Sequence, residues 1–261
     1  MARALFTIIP VFMLVACGGS GHGDVIPSTG PDAVAAALNS PARPEADREK
    51  DERRKPGEVL TFFGIEPGMR VLDMFAGGGY YTEILASIVG DDGVVYCQNN
   101  KSYRDYATDE IERRFANNRL PNVVRLDVEI EDIKIPPGEL DAVLLILSYH
   151  DIYYAPGDGS WPDIDGPEML QTIYDALAPG GVLGVVDHAA VPGTPNDDAG
   201  NELHRIDEEA AKAEILAAGF VLDGEHEALR NPDDDRSKPM LVEGIRGYTD
   251  RFILLFCKPE N

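Results

Sequence analysis

From Met69 onward the chain alternates short apolar runs, rich in β-branched residues, with stretches whose apolar positions recur every three or four residues. The apolar runs fall at 70–75, 94–98, 123–126, 142–147, 182–187, 220–225 and 251–257, and the helical stretches at 80–89, 103–118, 167–177 and 207–218. Continuous apolar runs separated by helices predict strands buried on both faces of a mostly parallel sheet. The last two runs are joined by an irregular segment without helical pattern, 228–249, which predicts a terminal antiparallel pair instead of another crossover. Upstream, 31–39 has a short helical pattern and 43–55 alternates charge as on a solvated helix. Pro56 can open a further helix that ends at Gly64. No repeat of about 20 to 50 residues is present, which excludes solenoids and propellers. The expected fold class is α/β, a doubly wound, mostly parallel seven-stranded sheet with a terminal antiparallel strand pair.

The amino terminus follows a different pattern. Arg3 precedes an apolar run that ends in Leu14-Val15-Ala16-Cys17, followed by Gly18-Gly19-Ser20. The run is shorter than the roughly 20 residues that span a bilayer, so a cleaved leader is expected over a transmembrane anchor. The segment resembles a bacterial lipoprotein signal with its lipobox. The resemblance implies a signal peptide at 1–16, a lipid on Cys17, and anchorage of the body outside the cytoplasm. Gly18 after the cysteine points to the periplasmic face of the outer membrane. Residues 17–45, rich in Gly, Pro, Ser, Ala and Asp, read as a tether, and 46–261 as one domain.

Composition narrows the partners. The formal net charge is −23, with 23 basic against 46 acidic residues. Nucleic acid requires a cationic footprint and is not an expected partner. Anionic lipid would repel the same surface, which leaves the lipid on Cys17 as the membrane contact. Of the remaining cysteines, Cys97 and Cys257 each sit within an apolar run; those runs are not expected to be neighbours, so two buried thiols are expected, without a bridge between them.

The chemistry begins at Val71-Leu72-Asp73-Met74-Phe75-Ala76-Gly77-Gly78-Gly79-Tyr80, where an apolar strand runs into three glycines and then a helix. Glycines at such a turn let backbone approach a ligand closely, at a helix N-terminus and on the carboxyl edge of the sheet. The spacing is not that of a dinucleotide fingerprint. The segment resembles motif I of class I methyltransferases, whose fold is Rossmann-like and whose cofactor is S-adenosylmethionine. That resemblance implies that Asp73, Ala76, Gly77 and Gly79 hold the methionyl part of the cofactor, with Phe75 standing where the family often has its first glycine. At the next strand end, where family members present an acid to the ribose, this chain offers Gln98 and Asn99. Glu129 and Ile130 match the adenine position. Ala178-Pro179-Gly180-Gly181 resembles the turn before the fifth strand, and the pattern as a whole resembles a family of predicted bacterial methyltransferases of unassigned substrate.

The fourth run ends in Ser148-Tyr149-His150-Asp151, at the edge where substrate meets cofactor. His150, with Asp151 beside it, is the expected general base. The loop that follows carries Tyr153, Tyr154 and Trp161, the only tryptophan, and suits a lid over a flat or apolar substrate. The expectation is an S-adenosylmethionine-dependent methyltransferase acting on a small molecule. A non-catalytic ligand-binding lipoprotein is the alternative, because the acid at strand two is missing and the cofactor is made in the cytosol. A metal-dependent enzyme, with His150, His188 and His204 converging on Asp151 or Asp187, ranks below both. No pair has the close helical spacing that commits it to metal, so no metal ligand is assigned.

Overall fold

A computed structural model describes residues 30–260; the leader, Cys17 and the first part of the tether lie outside the described residues. Seven strands form one sheet: β1 (Arg70–Met74), β2 (Val94–Gln98), β3 (Val123–Leu126), β4 (Leu140–Ile146), β5 (Leu177–His188), β6 (Val221–Glu225) and β7 (Arg251–Cys257), in the order β3-β2-β1-β4-β5-β7-β6. Pairing is parallel from β3 through β5, and β7 is antiparallel to both β5 and β6. The expected α/β sheet with its terminal antiparallel pair is present.

Alternation along each strand divides the core into two layers. Val71, Ala142, Leu144, Val186 and Ile253 face the helices Gly30–Leu38, Pro56–Phe62 and Tyr80–Val89. Leu72, Val143, Leu145, Val185 and Leu254 face the other way, toward Gly166–Ala176 and Glu208–Ala217. The strand order reverses between β1 and β4, which opens a crevice at their carboxyl ends.

Three expectations are corrected. The folded body begins before residue 46: Gly30–Leu38 buries Val34 and Ala37 in the core, because these apolar positions, three apart, share one helix face. The stretch 103–118 is not one helix but Lys101–Tyr106, Thr108–Phe115 and a 3-10 turn, Ala116–Asn118. Asn100 caps the first of these by accepting from Tyr103 N, and Thr108 Oγ1 bonds back to Arg104 O at 2.8 Å, competing with the helical ladder. Finally, Cys97 is a buried free thiol but Cys257 is disulfide-bonded; no bridge joins the two, since β2 and β7 are not neighbours.

Candidate active site

β1 ends at Met74, and the chain turns through 75–79 into Tyr80–Val89. Phe75 (φ 53°), Gly77 (φ 56°) and Gly79 (φ 76°) are all left-handed. The backbone that glycine supplies at the start of the motif is thus kept at Phe75, at a cost of about 1–2 kcal/mol for a residue with a side chain. Its buried ring stacks on Tyr103, with centroids 5.1 Å apart and planes at 16°. At Gly79 a Cβ would lie 2.8 Å from Arg114 Cδ, so the turn needs a glycine there on two counts. Arg114 braces the turn: its Nε donates to Gly78 O (2.5 Å), its Nη2 meets Asp47 Oδ2 (2.7 Å), and it pairs with buried Glu83.

Asp73 is buried at the end of β1, and Thr82 Oγ1 donates to its Oδ2 at 2.5 Å. Burial pushes its pKa up to about 6, although Thr82 and Arg114 hold it down. Asp73 lines a cavity of about 500 Å³ that also takes in the turn, Tyr103 and His188. His188 ends β5; its Nδ1 is 2.6 Å from Thr249 Oγ1, and its Nε2 is buried without a hydrogen-bond partner. Burial, with the charge of His150 and nearby arginines adding to it, holds its pKa well below the ordinary value, so the ring is neutral. Sequence reasoning placed His188 only in a metal set and missed its place on this cavity.

Arg53, Arg54, Arg246 and Arg251 line the same cavity. Among the described residues none of the four has a carboxylate within 4.0 Å, although acids outnumber bases two to one in the chain. Arg54 stands over the Tyr80 ring at 4.6 Å, and Arg251 donates to Gly247 O at 2.6 Å. Burial, with Arg54 and Arg53 adding to it, pulls the Arg251 pKa down to about 10, so it stays charged at neutral pH. Four cations, each without a carboxylate within 4.0 Å, stand around one hollow that Asp73 and Glu110 also line, an arrangement that suits an anion beside them. The sequence concealed it because Arg53 and Arg54 lie within a mixed-charge stretch and Arg246 in the long irregular segment.

Beyond β2 the sequence reading is revised. Gln98 Oε1 accepts from Phe75 N and its Nε2 donates to Val128 O; Asn99 Oδ1 accepts from Gly77 N and its Nδ2 donates to Gly77 O. Both amides are buried and engaged, their oxygens accepting from the turn and each nitrogen using one of its two N–H groups. The side chain whose amide nitrogen has no partner is Asn100, its Nδ2 buried. It lines a second hollow of about 150 Å³ together with Glu129 and Ile130, the pair expected at the adenine position. Glu129 Oε1 also accepts from Lys101 N at 2.9 Å.

His150 and Asp151 lie in the turn after β4 and do not line the cavity with Asp73; Tyr103 connects them to it, donating to Asp151 Oδ2 at 2.5 Å. His150 Nδ1 is 2.8 Å from Asp187 Oδ1. Burial works against its charge, but Asp187 and Asp151 outweigh it and push the pKa up to about 9. A ring held protonated by two carboxylates, and outside the cavity with Asp73, does not favour the expected role of general base. The aromatic loop is packed down. Trp161 Nε1 donates to Asp151 O (3.1 Å), its ring meets Tyr103 and Tyr154, and Tyr153 hydrogen-bonds to Glu214.

Among solved structures, a SAM-dependent methyltransferase from Aquifex aeolicus superposes over 87% of this chain and 98% of its own, with a TM-score of 0.56 at 19% identity. An arsenic(III) S-adenosylmethionine methyltransferase from Chlamydomonas reinhardtii covers 87% of this chain and 73% of its own, with a TM-score of 0.50 at 19% identity. This is the class I methyltransferase fold. The cofactor of that fold is S-adenosylmethionine. The family model for protein-L-isoaspartate(D-aspartate) O-methyltransferase matches residues 54–130, the segment from Arg54 through the glycine turn to Ile130. The ubiquinone/menaquinone biosynthesis C-methyltransferase UbiE of Ectopseudomonas mendocina (strain ymp) is 25% identical over 194 residues, 71% of this chain and 68% of that enzyme. The UbiE of Vibrio campbellii (strain ATCC BAA-1116) is 26% identical over 125 residues, 48% of this chain and 43% of that enzyme. The residues present fit the methyltransferase cofactor. A buried carboxylate and left-handed turn face one hollow, unpaired arginines are there for its carboxylate, and the orphaned Asn100 amide lies in the second.

Proposed function

We propose that this chain transfers a methyl group from S-adenosylmethionine to a small acceptor that carries negative charge. The observation that carries the reading is the cavity that joins Asp73 and residues 75–78 of the turn to His188 and to four arginines without carboxylate partners. Asp73 and the Gly77–Gly79 backbone hold the methionyl end, and Asn100 with Glu129 and Ile130 takes the nucleoside end. When bound, the cofactor supplies an electrophilic methyl on a sulfonium, whose leaving sulfide needs no acid. His188 Nε2 takes the acceptor's proton where it has one, with Nδ1 donating to Thr249 in the tautomer that leaves Nε2 its lone pair. One carboxylate occupies one guanidinium fork, so the cofactor alone does not use four arginines, and the remainder meet the acceptor. Alignment in this cavity accounts for most of the rate.

Calorimetric titration of the purified chain with S-adenosylmethionine and with S-adenosylhomocysteine tests the reading. Micromolar binding that is lost in Asp73→Ala is expected, followed by transfer to small carboxylates or phosphates but not to their uncharged amides or esters. A folded chain that binds neither nucleoside ends the methyltransferase reading, and equal transfer to uncharged isosteres ends the anionic-acceptor part alone.

We further propose that the body is lipid-anchored through Cys17 outside the cytoplasm, on the support of the lipobox pattern. Lipid labelling of the wild type is expected to vanish in Cys17→Ala; a label independent of Cys17 removes the anchor. A Cys17 that carries a thioether forms no disulfide, so mass spectrometry of the purified chain that finds Cys17 bonded to another cysteine also removes the anchor.

A further inference from the structure

Above the carboxyl ends of β4 and β5, side chains from two distant segments converge. His150 and Asp151 come from the turn after β4, and His204 from the residue that closes the π-helical segment Ala199–Leu203. One nitrogen of each imidazole and one Asp151 oxygen all lie within 4.8 Å of one another. His150 Nε2 is 3.4 Å from Asp151 Oδ1, and His204 Nδ1 is 3.6 Å from the same oxygen. Neither is a hydrogen-bond distance, which for such groups falls at about 2.7–3.2 Å. Both match the edge of a tetrahedron, since ligands about 2.0–2.2 Å from a central ion stand roughly 3.3–3.6 Å apart.

The other polar side-chain atoms of His150 and Asp151 are already committed. Asp187, fully buried, accepts from His150 N at 2.8 Å and holds His150 Nδ1 at 2.8 Å, so Nε2 is the ligand atom that remains. Asp151 Oδ2 takes the Tyr103 hydroxyl, which leaves Oδ1. His204 is held left-handed (φ 49°, ψ 56°), a conformation a residue with a side chain keeps only under constraint, and the Tyr154 ring lies 4.6 Å from its own. His150 and Asp151 are buried, while the His204 side chain is 22% exposed, so access is from the His204 side.

We propose that His150 Nε2, Asp151 Oδ1 and His204 Nδ1 bind one divalent transition-metal ion of the zinc type, with Asp187 orienting His150 and a fourth position left to water. The ion takes the place that a proton on Nε2 otherwise holds. Two imidazoles and a carboxylate suit zinc and its neighbours, whereas calcium and magnesium prefer an all-oxygen shell. Bound there, the ion ties the 196–207 segment to the turn after β4 and fixes the carboxylate on which Tyr103 is hung. The proposal does not rest on the methyl-transfer reading.

The full chain, stripped with chelator, is titrated with Zn²⁺ and separately with Co²⁺, whose visible absorption reports tetrahedral coordination. One Zn²⁺ per chain is expected. Asp151→Asn and His204→Ala are each expected to lose affinity at least about a hundredfold, and Asp187→Asn about 10- to 100-fold. His226→Ala, whose ring packs on Phe62, leaves uptake unchanged. His204 is half-buried and lies outside both core layers, so circular dichroism of its alanine variant is expected to match wild type. A folded wild-type chain that takes up neither ion overturns the proposal, as does uptake undiminished in both Asp151→Asn and His204→Ala.

Discussion

His150 and His188 lie with ring centroids 5.7 Å apart, and their partners give them opposite properties. Two carboxylates hold a proton on His150, whereas His188 meets only the Thr249 hydroxyl and is kept neutral. His188, neutral and lining the cavity, is therefore the imidazole there that is open to a proton. His188→Ala is expected to lower kcat by about 10²- to 10³-fold where the acceptor has a proton to lose, in the range usual for a positioned base. The dissociation constant for S-adenosylmethionine should change by less than about threefold, since Asp73 and the turn hold the methionyl end; an equal loss in both would make His188 a packing residue. Thr249 acts through His188 as a positioning residue. Thr249→Val frees the tautomer and should cost kcat less than His188→Ala while leaving cofactor affinity unchanged.

The helix Thr108–Phe115 contributes to the site chiefly through one side chain. Arg114 joins this helix to the turn after β1, to Asp47 in the amino-terminal segment and to Glu83 on Tyr80–Val89. Arg114→Ala takes one of two cations from each of two buried carboxylates, since Asp47 keeps Lys50 and Glu83 keeps Arg119, so the cost falls below the about 3–5 kcal/mol of a buried charge left alone. A drop of about 1–3 kcal/mol in urea unfolding is expected, with cofactor binding weakened because Gly78 loses its brace; no measurable loss would mean that Lys50 and Arg119 suffice. The elements were legible where each carries its own signal. Arg251–Cys257 is marked by an apolar run buried on both faces, Val94–Gln98 and the half-exposed edge strand Val123–Leu126 by their β-branched residues, and Asp73 with Gly77 and Gly79 by a local motif. What stayed hidden depends on partners far along the chain. Thr249 is 61 residues from His188, and Gln98 lies 23 residues beyond the Phe75 amide that occupies it. Residue type showed that an amide stood at the strand end, and only packing showed that Asn100 Nδ2 is without a partner while the neighbouring amide nitrogens are engaged.

Over the whole molecule, a chain of net charge −23 surrounds a cavity lined by unpaired arginines with one raised carboxylate at its floor. Ligand binding to the folded state alone stabilises it by mass action, about 2.7 kcal/mol at a hundredfold excess over Kd. For a domain of this size that corresponds to a Tm increase of roughly 5–11 °C. The increase depends on pH through Asp73. Ionised, Asp73 attracts the cationic groups of S-adenosylmethionine; protonated, it does not. Its pKa in the free protein is about 6, and a bound cation favours the ionised form, so the pKa in the complex is lower still. Affinity is therefore full above about pH 7, begins to fall near pH 6, and drops at most tenfold per pH unit until the lower pKa is passed. Stability of the free chain also changes as pH approaches its pI of about 4.4, so the quantity to follow is the difference in Tm with and without ligand. That difference is expected to shrink below pH 6 in the wild type and to be small and flat in Asp73→Asn. A wild-type difference that is large at pH 7 and unchanged at pH 5 would take the sulfonium and ammonium groups away from Asp73 and leave the backbone of the turn to hold them.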